Sequence, residues 1–217
     1  QDKKHRGREP ISARLIADLF RTAGANRLMS VDLHAAQIQG FFDGPVDHLW
    51  ALPVLSDYLS TKYDTSEMTV VSPDAGRVRL ADMWTDRLNS SLAIIHKRRD
   101  PNLVNTVAIH EVVGEVEGRV CLLVDDMIDT AGTICQAAEA LKTRGAKAVI
   151  AAATHPVLSG PAIDRLKATD FEEVIVTNTL PIPDERRFDS LTVLSIAPLI
   201  ARAIREVFEN GSVTSLF

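Results

Sequence analysis

The sequence contains no apolar run that approaches the length of a membrane-spanning helix, and no signal peptide is visible in it. It has only two cysteines, Cys121 and Cys135, and their spacing does not match a metal site. Scarce cysteines without such spacing favour a reduced, cytoplasmic compartment. The net charge is −5 with both signs mixed along the chain, which argues against a general nucleic-acid-binding surface.

Other common signatures are also missing. The sequence has no internal repeat of fixed period, no low-complexity segment and no Gly-Lys-Ser or Gly-Lys-Thr triplet of a nucleotide P-loop. What is present is a chain of 217 residues, 46% of them apolar, which is enough to bury one large core or two modest ones.

Short apolar runs alternate with segments of helical periodicity along most of the chain. The runs predict strands at residues 28–31, 68–71, 92–95, 106–113, 120–124, 148–152, 174–176 and 191–196. The periodic segments predict helices at residues 11–20, 55–59, 78–88, 134–141, 162–166 and 199–208. This alternation predicts an α/β fold with a largely parallel sheet.

Residues 120–133 form the most informative stretch. Five apolar residues predict a strand covered on both faces, and Asp125 and Asp126 follow where that strand is expected to end. Residues 129–133, Asp-Thr-Ala-Gly-Thr, then lead into a helix, so that backbone N–H groups and the hydroxyls of Thr130 and Thr133 would form a phosphate cradle. The carboxylates would suit ribose hydroxyls or a metal that carries pyrophosphate. The simpler interpretation is a buried strand meeting a capped helix.

Three further polar loops follow predicted strands: Asp32 with His34, residues 72–76, and residues 97–99. Such loops converge at the carboxyl ends of the strands in an open parallel sheet. His34 and Asp74 are a plausible ligand pair for a Mg²⁺ that is held mainly by phosphates, although each also fits an ordinary turn.

The basic run at residues 96–102 is predicted to be a loop, because Pro101 keeps it out of a helix. Lys97, Arg98 and Arg99 have two interpretations. They are either a solvated charged loop or a mobile cationic loop that closes over a phosphoryl transition state.

Several of these segments together resemble one family. Residues 32–43, 71–76, 97–99 and 124–133 closely resemble, in that order, segments typical of the ribose-phosphate diphosphokinases, or phosphoribosyl pyrophosphate (PRPP) synthetases. Gln1 and Asp2 resemble the family's Arg-Gln-Asp loop without its Arg, and residues 212–217 resemble its C-terminus. The resemblance therefore spans the whole chain.

The resemblance implies a phosphoribosyltransferase-like parallel-sheet domain plus the remainder of a second, similar α/β domain. Residues 1–48 would be the C-terminal part of the first, ATP-side domain, residues 49–197 the ribose 5-phosphate-binding domain, and residues 198–217 a helix that returns to the first domain. About the first hundred residues of the family have no counterpart, so we expect a fragment that is a poor catalyst by itself.

The implied reaction transfers the pyrophosphoryl group of MgATP to ribose 5-phosphate and gives PRPP and AMP. The implied catalytic residues are Lys97 and Arg99, and the implied Mg²⁺ ligands are His34 and Asp74. ATP would be bound by Gln1, Asp2 and His34. The residues implied to bind ribose 5-phosphate are Asp125, Asp126, Asp129, Thr130, Ala131, Gly132 and Thr133. The family also implies a homo-oligomer in which dimers build a hexamer.

Two departures and two alternatives accompany this interpretation. Arg77 stands where the family usually has a second glycine, and Leu80 where it usually has arginine. A phosphoribosyltransferase would share residues 124–133 but would not need Asp32, His34 or the Lys97 loop. A regulatory paralogue should show damage at the Lys97 loop or at residues 124–133, and neither is damaged.

Overall fold

The computed structural model describes residues 2–3, 7, 9–98 and 109–216. Its helices are α1 Ser12–Thr22, α2 Leu52–Lys62, α3 Val78–Leu88, α4 Gly132–Thr143, α5 Ala162–Ala168 and α6 Ala197–Phe208. Its strands are β1 Leu28–Val31, β2 Val46–Leu49, β3 Met68–Ser72, β4 Ser91–Arg98, β5 Ile109–Val113, β6 Val120–Ile128, β7 Ala148–Pro156, β8 Glu173–Thr177 and β9 Leu191–Leu194. None of the helices in this described part of the chain has the length and apolar character needed to cross a membrane.

The chain divides into two compact units, one made of Gln1–Ala51 with Leu199–Phe217 and the other of Leu52–Pro198. The smaller unit contains a two-stranded parallel sheet in which Leu28 of β1 pairs with Val46 of β2. Strand β2 was not predicted, because the turn signal at residues 43–45 hides a strand with only two apolar residues. The apolar side chains of α1 that remain exposed are Leu15, Ile16, Leu19 and Phe20.

The larger unit is built on a seven-stranded sheet with the order β5-β4-β3-β6-β7-β8-β9. All neighbouring strands are parallel except β4 and β5, which are antiparallel. Strands β3 and β8 are buried at every position, as expected where a parallel sheet is covered on both faces. The α/β fold with a largely parallel sheet, predicted from the sequence, is therefore confirmed.

Several strands of the larger unit run further than predicted, and β6 and β4 do so at residues of the predicted site. Strand β6 continues to Ile128 because β7 pairs with it beyond the predicted end, with Asp125 opposite Ala153 and Ile128 opposite Pro156. Asp125 and Asp126 therefore lie within a strand, and the strand end predicted before these two residues is wrong. Strand β4 likewise continues to Arg98, because it pairs with β5 through His96 opposite Glu111. The loop predicted from residue 96 is wrong for residues 96–98.

A buried carboxylate ties α2 to the last strands of the sheet. Glu173 of β8 is only 3% exposed, and both of its oxygens accept tyrosine hydroxyls at 2.7 Å, from Tyr58 and from Tyr63. Lys62 approaches the same carboxylate at 3.0 Å, and the Thr192 hydroxyl also donates to it. Burial by itself would raise the pKa of Glu173, but these hydrogen bonds outweigh it and lower the pKa below its ordinary value.

Both cysteines are free and buried in the larger unit. Cys121 lies in β6 within the main hydrophobic core, and Cys135 lies in the first turns of α4. Burial raises the pKa of the Cys121 thiol to about 11, and it also raises the pKa of Cys135.

Candidate active site

The predicted acidic pair is held by an arginine that comes from the neighbouring strand's loop. The Nε atom of Arg77 lies 2.8 Å from Oδ1 of Asp125, and its Nη2 atom lies 2.7 Å from Oδ1 of Asp126. The backbone N–H of Asp126 also donates to Asp125 Oδ1 at 2.8 Å. The side chains are largely withdrawn from solvent, with 20% exposure for Arg77, 19% for Asp125 and 7% for Asp126. One guanidinium therefore bridges two adjacent carboxylates.

The environment of this pair favours proton uptake. Burial raises the pKa of Asp125 to about 7, and the hydrogen bond and negative charge of Asp126 act in the same direction. The positive charge of Arg77 acts against them. The charge of the site consequently depends on pH near neutrality and on any cation or hydrogen-bond donor that approaches it.

The loop at residues 129–133 connects β6 to α4 and has an unusual backbone. Ala131 has a φ of 59°, in the left-handed region that residues other than glycine seldom adopt. Asp129, Thr130 and Thr133 are exposed, so the polar side chains face solvent at the N-terminus of α4. A loop of this kind, with backbone N–H groups directed outward from a helix start, suits a phosphate group.

Two residues near α5, Arg165 and Ser159, form hydrogen bonds to the backbone of this loop. Arg165 of α5 donates from Nη1 to the Thr130 carbonyl at 2.9 Å. The N–H of Ser159 donates to the Asp129 carbonyl at 2.9 Å. A Cβ atom added at Gly132 would lie 3.3 Å from Arg165 Nη1, so a glycine here lets the arginine approach closely. The loop is therefore fixed before any ligand arrives.

Asp74 lies on the loop that follows β3, next to β6 in the sheet. Its carboxylate accepts the Gly76 N–H at 2.8 Å, and its carbonyl accepts the Ser72 hydroxyl at 2.7 Å. Because Arg77 belongs to the same short helical turn, Ala75–Arg77, this loop reaches the acidic pair directly. The structure thus brings the loop of Asp74 together with residues 125–133, at the carboxyl ends of two adjacent strands.

The predicted catalytic residues lie at the edge of what the structure describes. The backbone of Lys97 lies in β4 and pairs with that of His110, while the Lys97 side chain is outside the described atoms. Arg99 lies outside the described residues altogether. Their catalytic role remains a prediction.

The predicted ATP-side residues belong to the smaller unit. Gln1 lies outside the described residues, and the Asp2 carboxylate accepts the Gln37 side-chain amide at 2.6 Å. His34 is exposed and follows Asp32, a buried residue with a φ of 42° whose carboxylate accepts the Ala51 N–H at 3.1 Å. The turn that carries His34 is therefore well anchored.

The predicted metal pair is divided between the units, with His34 in the smaller and Asp74 in the larger. Within the described residues, no group of three or more His, Cys, Asp or Glu side chains is placed to hold a metal ion. The assignment of His34 and Asp74 as Mg²⁺ ligands remains a prediction.

Two residues of the site were not predicted from the sequence. Arg77 was noted only as a departure from a pattern, although its place directly after Asp-Ala-Gly was a usable signal. Nothing in the sequence pointed to Arg165 as a site residue, because it lies on α5, 35 residues away from Thr130.

Comparison with known proteins gives a consistent result. The model of the phosphoribosyl synthetase-associated domain matches residues 104–217. The ribose-phosphate pyrophosphokinase of Streptomyces avermitilis is 69% identical over 217 residues, which is 100% of this chain and 67% of that protein. This chain belongs to the ribose-phosphate pyrophosphokinase family. The family predicted from the motifs, also called the PRPP synthetases, is therefore confirmed.

Further members of the pyrophosphokinase family agree. The Mycobacterium leprae ribose-phosphate pyrophosphokinase is 62% identical over 218 residues, covering 100% of this chain and 67% of that protein. The crystal structure of phosphoribosylpyrophosphate synthetase from Mycobacterium smegmatis superposes with a TM-score of 0.89 at 60% identity, covering 97% of this chain and 68% of that one. This chain thus spans about two thirds of the length of the relatives that it matches.

Proposed function

We propose that the larger unit binds ribose 5-phosphate at the carboxyl ends of β3 and β6, for the reaction of the ribose-phosphate pyrophosphokinases. That reaction transfers the pyrophosphoryl group of ATP to ribose 5-phosphate and yields PRPP and AMP. The observation that supports the proposal best is the placement of the Asp125–Asp126 pair near the end of β6, with two residues between the pair and the loop at residues 129–133. Sugar-binding and phosphate-binding groups then follow one another along a single strand–loop–helix segment.

The 5-phosphate is assigned to residues 129–133. The N-terminus of α4 carries the positive end of the helix dipole, equivalent to about half an elementary charge. The exposed hydroxyls of Thr130 and Thr133 add donors of their own. Since the loop is already held by Arg165 and Ser159, little ordering is needed when phosphate binds.

The ribose hydroxyls are assigned to Asp125 and Asp126. Carboxylates accept hydrogen bonds from hydroxyls, and a hydrogen bond to a charged group contributes about 1.5–3 kcal/mol. The mostly buried position of the pair strengthens such contacts, because little water competes for them.

Asp74 and His34 are each assigned to Mg²⁺ by the chemistry of their donor atoms. The exposed Asp74 offers a hard carboxylate oxygen, and the exposed His34 offers an imidazole nitrogen. When bound, the ion would neutralise charge on the pyrophosphoryl group. The chain's own contribution is to present Asp74 on a loop that is braced by Gly76 and Ser72.

The remaining roles complete the reaction. Gln1, Asp2 and His34 are assigned to ATP, and Lys97 and Arg99 to charge stabilisation as the anomeric hydroxyl attacks the β-phosphorus and AMP departs. We also assign the protein to the cytoplasm as a homo-oligomer of dimers that build a hexamer. The two buried free thiols support the first assignment, and the exposed apolar side chains of α1 support association.

Calorimetric titration tests the assignment of the two subsites. Ribose 5-phosphate should bind measurably, and Thr133→Val should weaken this binding by about tenfold, the effect of one lost hydrogen bond to a charged group. ATP binding should be much less affected. A loss confined to ATP would show that residues 129–133 serve the nucleotide instead. Phosphorus NMR of protein mixed with MgATP and ribose 5-phosphate would follow PRPP and AMP directly.

A further inference from the structure

Arg77 connects two parts of the site that the chain supplies separately. It lies three residues after Asp74 on the β3–α3 loop, and its guanidinium forms ion pairs with both carboxylates of the β6 pair, at 2.8 Å and 2.7 Å. Strands β3 and β6 are hydrogen-bonded neighbours, with Val71 opposite Leu123. The Arg77 side chain therefore reaches from the β3–α3 loop to two residues within β6.

The acidic pair needs such a partner. Two adjacent carboxylates repel each other, and Asp126 is almost completely buried, where an uncompensated charge is costly. A guanidinium presents several N–H donors in a fixed plane, so that one side chain can hold two carboxylates in a defined relative position. A lysine would supply the charge but only a single donor centre.

The loop that carries Arg77 is itself rigid. The Gly76 N–H donates to the Asp74 carboxylate and the Ser72 hydroxyl donates to the Asp74 carbonyl, so the turn is closed on both sides. The Arg77 N–H also donates to the Asp74 carbonyl at 3.3 Å, so a displacement of the Arg77 backbone would also displace Asp74. Because the Arg77 side chain contacts the acidic pair and its backbone belongs to the turn of Asp74, Arg77 links the position of the pair to that of the Asp74 carboxylate.

We infer that Arg77 is a positioning residue, which sets the geometry of Asp125 and Asp126 for ribose and couples the sugar subsite to the loop of Asp74. This inference rests on the proposed function, because it takes the acidic pair as the ribose subsite. Arg77 does not need to touch the substrate in this role. It acts through the two carboxylates that do.

The test compares three variants by calorimetric titration with ribose 5-phosphate and with ATP. Arg77→Met keeps the length of the side chain and removes its charge and donors. Arg77→Lys keeps the charge and removes the two-point bridge. Arg79→Met is the matched control, since Arg79 is exposed and lies two residues further along in the first turn of α3. Circular dichroism and urea unfolding report whether each variant is folded.

Arg77→Met should raise the dissociation constant for ribose 5-phosphate by about 10- to 100-fold, as loss of a residue that orients a metal ligand typically does for metal affinity. Arg77→Lys should recover only part of this loss, and Arg79→Met should bind like the parent protein. The effect on ATP should be several-fold smaller. A double variant, Arg77→Met with Asp125→Asn, should lose much less than the product of the two single losses, because both act on one contact.

Other outcomes are equally informative. Unchanged binding of ribose 5-phosphate by a folded Arg77→Met would overturn the inference, and so would full recovery by lysine, which needs no bridge. Equal losses for both ligands together with a loss of folded structure would show that Arg77 is only structural. If the parent protein itself fails to bind ribose 5-phosphate, the proposed function fails first, whatever the variants do.

Discussion

The side chain of Arg165 donates a hydrogen bond of 2.9 Å to the backbone carbonyl of Thr130, although the two residues lie on different elements. The bond crosses from α5 to the loop before α4. It passes close to Gly132, where a Cβ atom would lie 3.3 Å from the guanidinium. A long side chain from outside the motif therefore supports the proposed phosphate loop.

We expect Arg165→Met to weaken ribose 5-phosphate binding by about three- to tenfold, since one hydrogen bond of this kind contributes about 0.5–1.5 kcal/mol. Without Arg165, the loop at residues 129–133 would have to be ordered when the ligand binds, and this ordering costs free energy. Lys167→Met on the same helix is the control, because Lys167 is exposed. Equal binding by both variants would mean that the loop keeps its shape without Arg165.

The raised pKa of Asp125 gives a pH dependence with a definite sign. The folded protein binds this proton up to a pKa of about 7, whereas the unfolded chain releases it near 3.8. Because the folded state binds more protons between these values, the free energy of unfolding should fall as the pH rises from about 4 to about 7. Urea unfolding at several pH values measures this slope.

The variant Asp125→Asn supplies the control for that slope. Asparagine does not titrate, so the variant should lose the part of the pH dependence that belongs to Asp125. An identical slope in the parent and the variant would assign the dependence to other groups. Measurements without added metal or phosphate keep ligand binding from contributing.

The buried carboxylate of Glu173 should matter for stability. We expect Glu173→Leu to lower the free energy of unfolding by about 1–3 kcal/mol, because the part-buried hydroxyls of Tyr58 and Tyr63 would lose their shared acceptor. Glu172→Leu, at an exposed neighbouring position, should change stability by less than about 0.5 kcal/mol. Chemical denaturation of both proteins decides the matter. Comparable small changes would show that the network is dispensable.

Lys97 and Arg99 should matter for turnover. We expect Lys97→Ala and Arg99→Ala each to raise the activation free energy by about 3 kcal/mol, which is the typical effect of removing a donor aimed at developing charge. The rate of AMP formation from MgATP and ribose 5-phosphate measures it, in protein that shows the family's activity. Near-parental turnover in both variants would leave these residues as a solvated charged segment.

Local patterns predicted much of the fold because strand and helix signals were strong in the larger unit. The helix predicted at residues 78–88 has those bounds in the structure, since its apolar periodicity is interrupted on both sides. The extension of β6 through Asp125 and Asp126 could not be predicted, because the hydrogen bonds that hold it come from β7. Polar residues that follow an apolar run indicate a strand end as long as the pairing with the neighbouring strand is unknown.

The site was predicted less completely for a similar reason. Thr130 and Thr133 could be placed at a helix start, because a strand, a polar loop and a periodic segment follow one another in the sequence. The left-handed backbone conformation of Ala131 could not be predicted, because alanine rarely adopts it and only the surrounding packing imposes it. The bridge from Arg77 to two carboxylates is likewise a product of the neighbouring strands β3 and β6.

The two buried cysteines can be used to detect local unfolding of the larger unit. A thiol reacts as its thiolate, and burial both shields Cys121 and raises its pKa to about 11, so a maleimide or a disulfide reagent should leave the folded chain almost untouched. Modification of Cys121 then reports how often β6 separates from its neighbours, and modification of Cys135 how often α4 lifts from the sheet. Comparing the two labelling rates with and without ribose 5-phosphate would show whether the ligand protects the helix start more than the strand.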